Sequence, residues 1–237
     1  MKKFIFDVDG TLTPSRKSID KEFEKFFIDF CSSNTVYLVT GSDRPKTVEQ
    51  IGSEILKKVK LCFNCAGNEV WKDDVLISKE EWNPPDILIN YLENILEKSK
   101  FPIRAGNHIE KRNGMLNFSI VGRNCNDEQR KEYVEWDKNT QERLHIVEKI
   151  TNVFKNIDCY VGGETGVDIF PVGGGKVQAI SKIRTSAIDK LYYFGDQVFK
   201  NGNDYEAAMM CDHQYNVKNW QCTHEILSYF LEAGICK

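Results

Sequence analysis

The chain has 237 residues, 41% of them apolar and 28% charged, and its 32 Lys+Arg nearly balance 35 Asp+Glu for a net charge of -3. That profile excludes a disordered chain and offers no global basic field for nucleic acid or anionic lipid. No run approaches the roughly 18 apolar residues of a membrane helix. Acids interrupt any signal-peptide core within Met1-Lys2-Lys3-Phe4-Ile5-Phe6-Asp7, so a cytoplasmic protein is expected. The length fits one large domain or two modest ones.

In chain order, residues 3–6 read as a short buried strand running into Asp7. Ile19, Phe23, Phe26, Phe27 and Phe30 recur at helical spacing. Residues 36–39 form a second apolar strand ending at Thr40-Gly41-Ser42-Asp43. Ser42 or Asp43 can cap the next helix, with Pro45 in its first turn and Val48, Ile51, Ile55 and Leu56 as its stripe. This alternation predicts a parallel sheet with right-handed crossovers. Trp82-Asn83-Pro84-Pro85 then breaks the pattern.

Beyond the break, 87–96 reads as helix and 116–121 alternates as a half-exposed strand would. Residues 128–154 read mostly as helix, with Leu144, Val147, Ile150 and Phe154 on one face. Residues 167–170 read as strand, making this block an α+β unit with helices on one side. Gly173-Gly174-Gly175 closes it. A helix over 176–183, a strand over 191–194 ending at Gly195-Asp196, and a helix over 223–233 resume the first pattern. The fold class is therefore α/β with an inserted α+β domain: residues 1–80 and 174–237 form one unit, and 81–173 the other.

Some patterns carry no chemistry. The eight cysteines include a lone Cys62-x-x-Cys65, with no second pair to complete a zinc site, and Cys211-x-His213 with Cys222-x-His224. All read as buried free thiols. Gly173-Gly174-Gly175-Lys176 lacks the Walker A spacing. Lys57, Lys58 and Lys60 read as the solvated end of a helix.

Chemistry concentrates at predicted strand ends: Asp7-Val8-Asp9-Gly10-Thr11, Thr40-Gly41-Ser42-Asp43, and Gly195-Asp196 through Asn203-Asp204. Ligands of open parallel sheets bind there. Gathered carboxylates repel unless a cation or proton intervenes, and without a Cys/His set, oxygen ligands favour Mg²⁺. A carboxylate beside Mg²⁺ can attack a phosphoryl group, and an acid two residues on can shuttle the proton. Lys176 can spread phosphoryl charge, and Thr40 or Ser42 can position its oxygens.

Asp7-Val8-Asp9-Gly10-Thr11-Leu12-Thr13, Lys176, and Gly195-Asp196 with Asn203-Asp204 resemble motifs I, III and IV of the haloacid dehalogenase-like superfamily. The insertion between motifs II and III resembles its type 2 cap on a Rossmann-like core. Arg112-Asn113-Gly114-Met115-Leu116-Asn117, Ser119, Gly122-Arg123 and Asp127-Glu128-Gln129-Arg130 resemble the cap signature of eukaryotic-type phosphomannomutases. Gly162-Gly163 and Asp168-Ile169-Phe170-Pro171 extend the likeness.

The resemblance implies roles residue by residue. Asp7 would be the nucleophile and Asp9 the general acid/base. Asp7, the Asp9 backbone carbonyl and Asp196 would hold Mg²⁺, with Asn203 and Asp204 in support. Arg16 would be a substrate-binding arginine of the core, Arg112, Arg123 and Arg130 from the cap would hold the phosphate distant from the chemistry, and Asp168 would contact sugar hydroxyls. It implies interconversion of hexose 6- and 1-phosphates, mannose foremost, with a hexose 1,6-bisphosphate activator. A role in GDP-mannose biosynthesis and a homodimer through the cap also follow. The partner is a small sugar phosphate, not nucleic acid or membrane.

Physical chemistry points the same way. A substrate charged at both ends needs a second cationic socket, and arginine's planar fork suits one. The chain departs from the family at several places. Gly166 stands where the family has Ser, which removes one hydroxyl bond, and Gly174-Gly175 replace a Trp and an acid, which predicts a looser hinge. Val39-Thr40-Gly41-Ser42 is similar to sugar phosphatases of the superfamily. The segment after Glu206 lacks the family's Asp-Pro, and with it the pattern for a second ion. A sugar phosphatase on the same scaffold is the alternative, and a non-enzymatic binding protein is the third.

Overall fold

Two sheets organise the chain, and a cleft lies between them. The computed structural model describes residues 1–237. The first part runs β1 (Lys2–Phe6), α1 (Lys21–Ser33), β2 (Val36–Val39), α2 (Arg44–Ile51), α3 (Ser53–Lys58), β3 (Leu61–Asn64), β4 (Glu69–Lys72) and β5 (Val75–Lys79). The middle part holds α4 (Asp86–Lys98), β6 (Ile109–Arg112), β7 (Met115–Phe118), α5 (Asp127–Thr140), α6 (Glu142–Val153), β8 (Ile157–Gly162) and β9 (Gly166–Pro171). The last part holds α7 (Val177–Ile183), β10 (Lys190–Gly195), α8 (Tyr205–Met209), β11 (His213–Asn216) and α9 (Trp220–Glu232).

A seven-stranded sheet has the order β11-β10-β1-β2-β3-β4-β5. Its strands from β11 to β3 are parallel, and β4 and β5 turn back antiparallel at one edge. Strands covered on both faces read as continuous apolar runs. Phe4, Phe6, Leu38 and Phe194 pack with residues of α1, α3 and α9, whereas Ile5, Tyr37, Val39 and Tyr193 pack with α7 and α8. Helices thus cover both faces, and the carboxyl ends of β1, β2 and β10 stay open for a ligand.

A second, four-stranded antiparallel sheet has the order β6-β7-β9-β8 and draws only on residues 109–171. Alternation sorts its side chains. Leu116, Phe118, Val167 and Ile169 pack on Leu88 and Leu92 of α4 and Ile146, Val147 and Ile150 of α6. Glu110, Arg112, Asn117 and Asp168 line the cleft on the opposite face.

Several boundaries differ from the sequence reading. The helix expected to run through Leu56 breaks at Gly52, where φ is 78°. The long helix over 128–154 breaks at Gln141, a left-handed residue with φ 52° and ψ 34°. The Asp137 carboxylate holds this break by accepting from the Arg143 amide and Nε, each at 2.8 Å. The final helix starts earlier, at Trp220, because Asn219 caps the Cys222 amide at 3.0 Å.

The strand expected over 116–121 ends at Phe118, and the segment is not half-exposed: Asn117 and Ser119 are 4% and 1% accessible, and the neighbours Ile120 and Val121 are both buried. The first sheet's loops cover its polar face. Strands β3, β4, β5, β6, β8 and β11 were not anticipated; β11 carries little apolar signal, whereas the apolar run Val75-Leu76-Ile77 of β5 lies exposed at the sheet edge. All eight cysteines are free thiols, six of them buried.

Candidate active site

The β1 run stops at Asp7, and the chain then turns tightly. The Val8 carbonyl accepts from the amides of Leu12 (2.9 Å) and Thr13 (3.1 Å), and Gly10 donates to the Thr13 carbonyl (2.8 Å). Gly10 has φ 77°, and a Cβ there would meet the Asp196 carboxylate at 2.7 Å. The loops after β1 and β10 meet because position 10 has no side chain.

One carboxylate oxygen each of Asp7, Asp196 and Asp204 lie within 4.8 Å of one another. Asp204 is fully buried; it accepts from Lys176 Nζ at 2.7 Å, Tyr193 OH at 2.6 Å and the Gln197 amide at 3.0 Å. Lys176 Nζ also donates to Asp7 at 2.5 Å. Burial works against the Lys176 charge, but Asp204 and Asp7 outweigh it and hold its pKa above the ordinary lysine value. Burial pushes Asp7 well up; Lys176 pulls the other way, and Asp204 and Asp196 add to the rise. Burial, with Asp204 next, pushes Asp196 up to about 7.

Three carboxylates against one ammonium leave uncompensated negative charge, and an all-oxygen set of that kind fits a hard divalent cation such as Mg²⁺. The oxygens of Asp204 are already engaged. Asp7 and Asp196, which face the cleft, are the side chains that would hold it.

The Asp9 carboxylate is placed differently. Its Oδ1 accepts from the Arg16 amide at 2.6 Å and Gln50 Nε2 at 2.9 Å, and its Oδ2 from Ser42 Oγ at 3.2 Å. Thr40 Oγ1 accepts from the Ser42 amide at 3.1 Å, which leaves the hydroxyl proton for a ligand oxygen.

One cleft gathers Asp7, Asp9, Arg16, Thr40, Ser42, Arg112, Arg123, Arg130, Gly166, Asp168, Asp196 and Asn203, and none of its 22 lining residues is hydrophobic. Lys176 and Asp204 sit directly behind Asp7. Every residue singled out in the sequence therefore lies in or against one site.

The floor of the cleft is a polar ladder. Asp168 accepts from Asn117 Nδ2 at 2.8 Å and Asn203 Nδ2 at 2.9 Å. The side-chain oxygens of both asparagines are buried without partners. Unpaired buried acceptors are costly unless a ligand supplies donors. At the far end, burial and then Arg112 pull the Arg123 guanidinium down to about 10, and burial and then Arg130 lower Arg16.

The two sheets are joined across the cleft. Arg112 Nη1 donates to the Gly41 carbonyl at 2.8 Å. Val161 donates to the Asn201 carbonyl (2.8 Å) and accepts from the Asn203 amide (2.9 Å). The Gly174 carbonyl, in the segment expected to be a loose hinge, accepts from Asn68 at 3.1 Å and Gln178 at 2.8 Å.

Sequence reasoning missed Glu110, Gln50 and the role of Asn117. Strand parity could have found two of them. Glu110 lies two residues before Arg112 on the same face of β6, and Asn117 is the cross-strand partner of Asp168.

Residues 23–232 match the family described as "Eukaryotic phosphomannomutase". The chain belongs to that family. It is 35% identical to a phosphomannomutase of Dendrobium officinale over 85% of this chain and 82% of that one. It is also 35% identical to a phosphomannomutase of Encephalitozoon cuniculi, over 86% and 82%. This phosphomannomutase-family chain is an enzyme of that type, on the haloacid dehalogenase-like fold. A Plasmodium falciparum IMP-nucleotidase shares the fold with a TM-score of 0.67 at 15% identity, covering 98% of this chain and 68% of that one. A haloacid dehalogenase-like hydrolase from Bacteroides thetaiotaomicron does so at 0.51 and 12%, covering 90% and 93%. The family match begins at residue 23, after Asp7 and Asp9.

Proposed function

We propose that the enzyme interconverts hexose 1- and 6-phosphates, mannose foremost, by exchanging a phosphoryl group between Asp7 and a hexose bisphosphate. The observation that carries this reading is one polar cleft with two poles. Asp7, Asp196 and Lys176 form the reacting end, and Arg16, Arg123 and Arg130 the opposite one. A monophosphate hydrolase has little use for the second pole. The ladder of Asn117, Asp168 and Asn203 between them suits a hydroxylated ring.

In this reading the Asp7 carboxylate attacks phosphorus, its Asp7–O–P bond forms, and the sugar oxygen leaves with a proton from Asp9. In the return step Asp9 takes the proton of the other sugar hydroxyl as that oxygen attacks the aspartyl phosphate. A bound divalent cation would offset the charge of the phosphoryl oxygens. Lys176 holds Asp7 in place, and Thr40 and Ser42 orient oxygens at the transferring group. Residues 81–173 serve as the cap over a core of 1–80 and 174–237. Closure excludes water, which would otherwise hydrolyse the aspartyl phosphate.

The reading includes a hexose 1,6-bisphosphate activator, a homodimer through the cap and a cytoplasmic setting. Eight free thiols suit a reducing compartment. No helix is long and apolar enough to cross a membrane. The decisive assay supplies mannose 1-phosphate, Mg²⁺ and a catalytic amount of glucose 1,6-bisphosphate. Mannose 6-phosphate should accumulate as mannose 1-phosphate disappears. Stoichiometric inorganic phosphate without mannose 6-phosphate would replace the mutase by the phosphatase.

A further inference from the structure

We propose that Glu110 is a positioning residue of the distal-phosphate socket, splinting Arg112 across the cleft and turning the terminal nitrogens of Arg123 toward a phosphate monoester. This deepens the reading of the cleft given above and rests on it.

Glu110 Oε2 accepts from Arg112 Nε at 3.0 Å and also from Arg112 Nη2. Arg112 Nη1 is engaged by the Gly41 carbonyl at 2.8 Å. All three Arg112 nitrogens therefore have partners within the chain. Arg112 acts as a tie between the two sheets, while Arg123 and its neighbours remain to meet the anion. Glu110 also lies 3.2 Å from Arg123 Nε. That nitrogen is buried without a hydrogen-bond acceptor, so the pairing with Glu110 is one of charge and its angle is too oblique for a bond.

Glu110 approaches Arg123 from the Nε side, which leaves the terminal nitrogens of Arg123 to donate to phosphate oxygens. It also moderates repulsion among four guanidinium groups that line one cleft. Burial opposes the Glu110 charge, but Arg112 and Arg123 outweigh it and keep its carboxyl below the ordinary range.

The test is a KM-against-kcat comparison for mannose 1-phosphate with Glu110→Gln, Glu110→Asp and Arg112→Lys, plus the double variant Glu110→Gln/Arg112→Lys. Glu110→Gln should raise KM about tenfold, the scale of one lost charge-assisted contact, and lower kcat by less than about threefold. Glu110→Asp should recover most of the loss. The double variant should be little worse than the poorer single one, because both residues act in one tie. An unchanged or lower KM in Glu110→Gln overturns the proposal, since a competing anion gives that result. Should Glu110→Gln fail to fold, a folded Glu110→Asp with wild-type KM overturns it as well. If the wild type releases inorganic phosphate instead of mannose 6-phosphate, the mutase reading falls. The same KM comparison, read on phosphate release, then still decides the role of Glu110.

Discussion

Asp7 and Gly166 show how single positions set the chemistry. Asp7 has one oxygen held by Lys176 at 2.5 Å and faces the cleft on its other side. Asp7→Asn keeps the shape and removes the nucleophile. Turnover should fall at least about a thousandfold, as for other nucleophile losses, with the circular dichroism spectrum unchanged. Gly166 lies too close to Asn117 in the cleft for a side chain. A Cβ there would meet Asn117 Nδ2 at 2.7 Å, the group that donates to Asp168. Gly166→Ser should therefore not tighten sugar binding. It should displace Asn117 and raise KM about tenfold, the equivalent of one hydrogen bond near 1.4 kcal/mol. A lower KM would show that the ladder can shift without loss.

Elements are held by caps, breaks and buried rings. The capping box at Asn126 and Gln129 starts α5, and Gln141 ends it in a left-handed conformation. A side chain at that φ is strained by about 1–2 kcal/mol relative to glycine. Gln141→Gly should stabilise the fold by about 1 kcal/mol after the entropic cost of glycine, measured by urea denaturation. Phe118 is fully buried between β7 and the helices α4 and α6. Phe118→Ala should destabilise by about 3–5 kcal/mol through lost burial and a residual cavity. Strand parity couples this packing to function. The residue before Phe118 is Asn117, so a strand that shifts to fill the cavity also moves the sugar ladder. Reduced affinity for mannose 1-phosphate should accompany the stability loss.

For the whole molecule, charge is arranged oppositely at the two ends of the parallel sheet. The carboxyl end gathers repelling carboxylates that a cation would neutralise. At the amino end, Lys3 and Asp189, both 4% accessible, pair at 2.7 Å. The Lys3 hydrogen bond is the main cause that holds Asp189 below the usual carboxylate range, with Thr185 and the Ser186 amide assisting against burial. A carboxylate depressed on folding contributes stability that is fully present above its unfolded pKa of about 3.9. That contribution is lost as pH falls through the folded value. The melting temperature of the wild type should exceed that of Asp189→Asn at pH 7, and the gap should close as the pH is lowered below about 4. A gap independent of pH would mean that Asp189 acts by packing alone.

The phosphoryl-transfer end was legible in the sequence because its residues follow apolar runs directly. Asp7, Thr40 and Asp196 each stand where a buried strand must stop, and the parallel topology brings such stops to one edge. The arginines of the far pole were legible only through family resemblance, since nothing local separates Arg123 from a surface arginine. Tertiary structure alone decided the rest. Helix breaks at Gly52 and Gln141 depend on backbone angles that periodicity does not encode. The burial of Asn117 and Ser119 depends on one sheet covering another. Whether Arg112 grips a ligand or ties two sheets depends on which carbonyl and which carboxylate lie within 3 Å of it. Periodicity reports which face of an element is buried, but only the packed chain determines what that face meets.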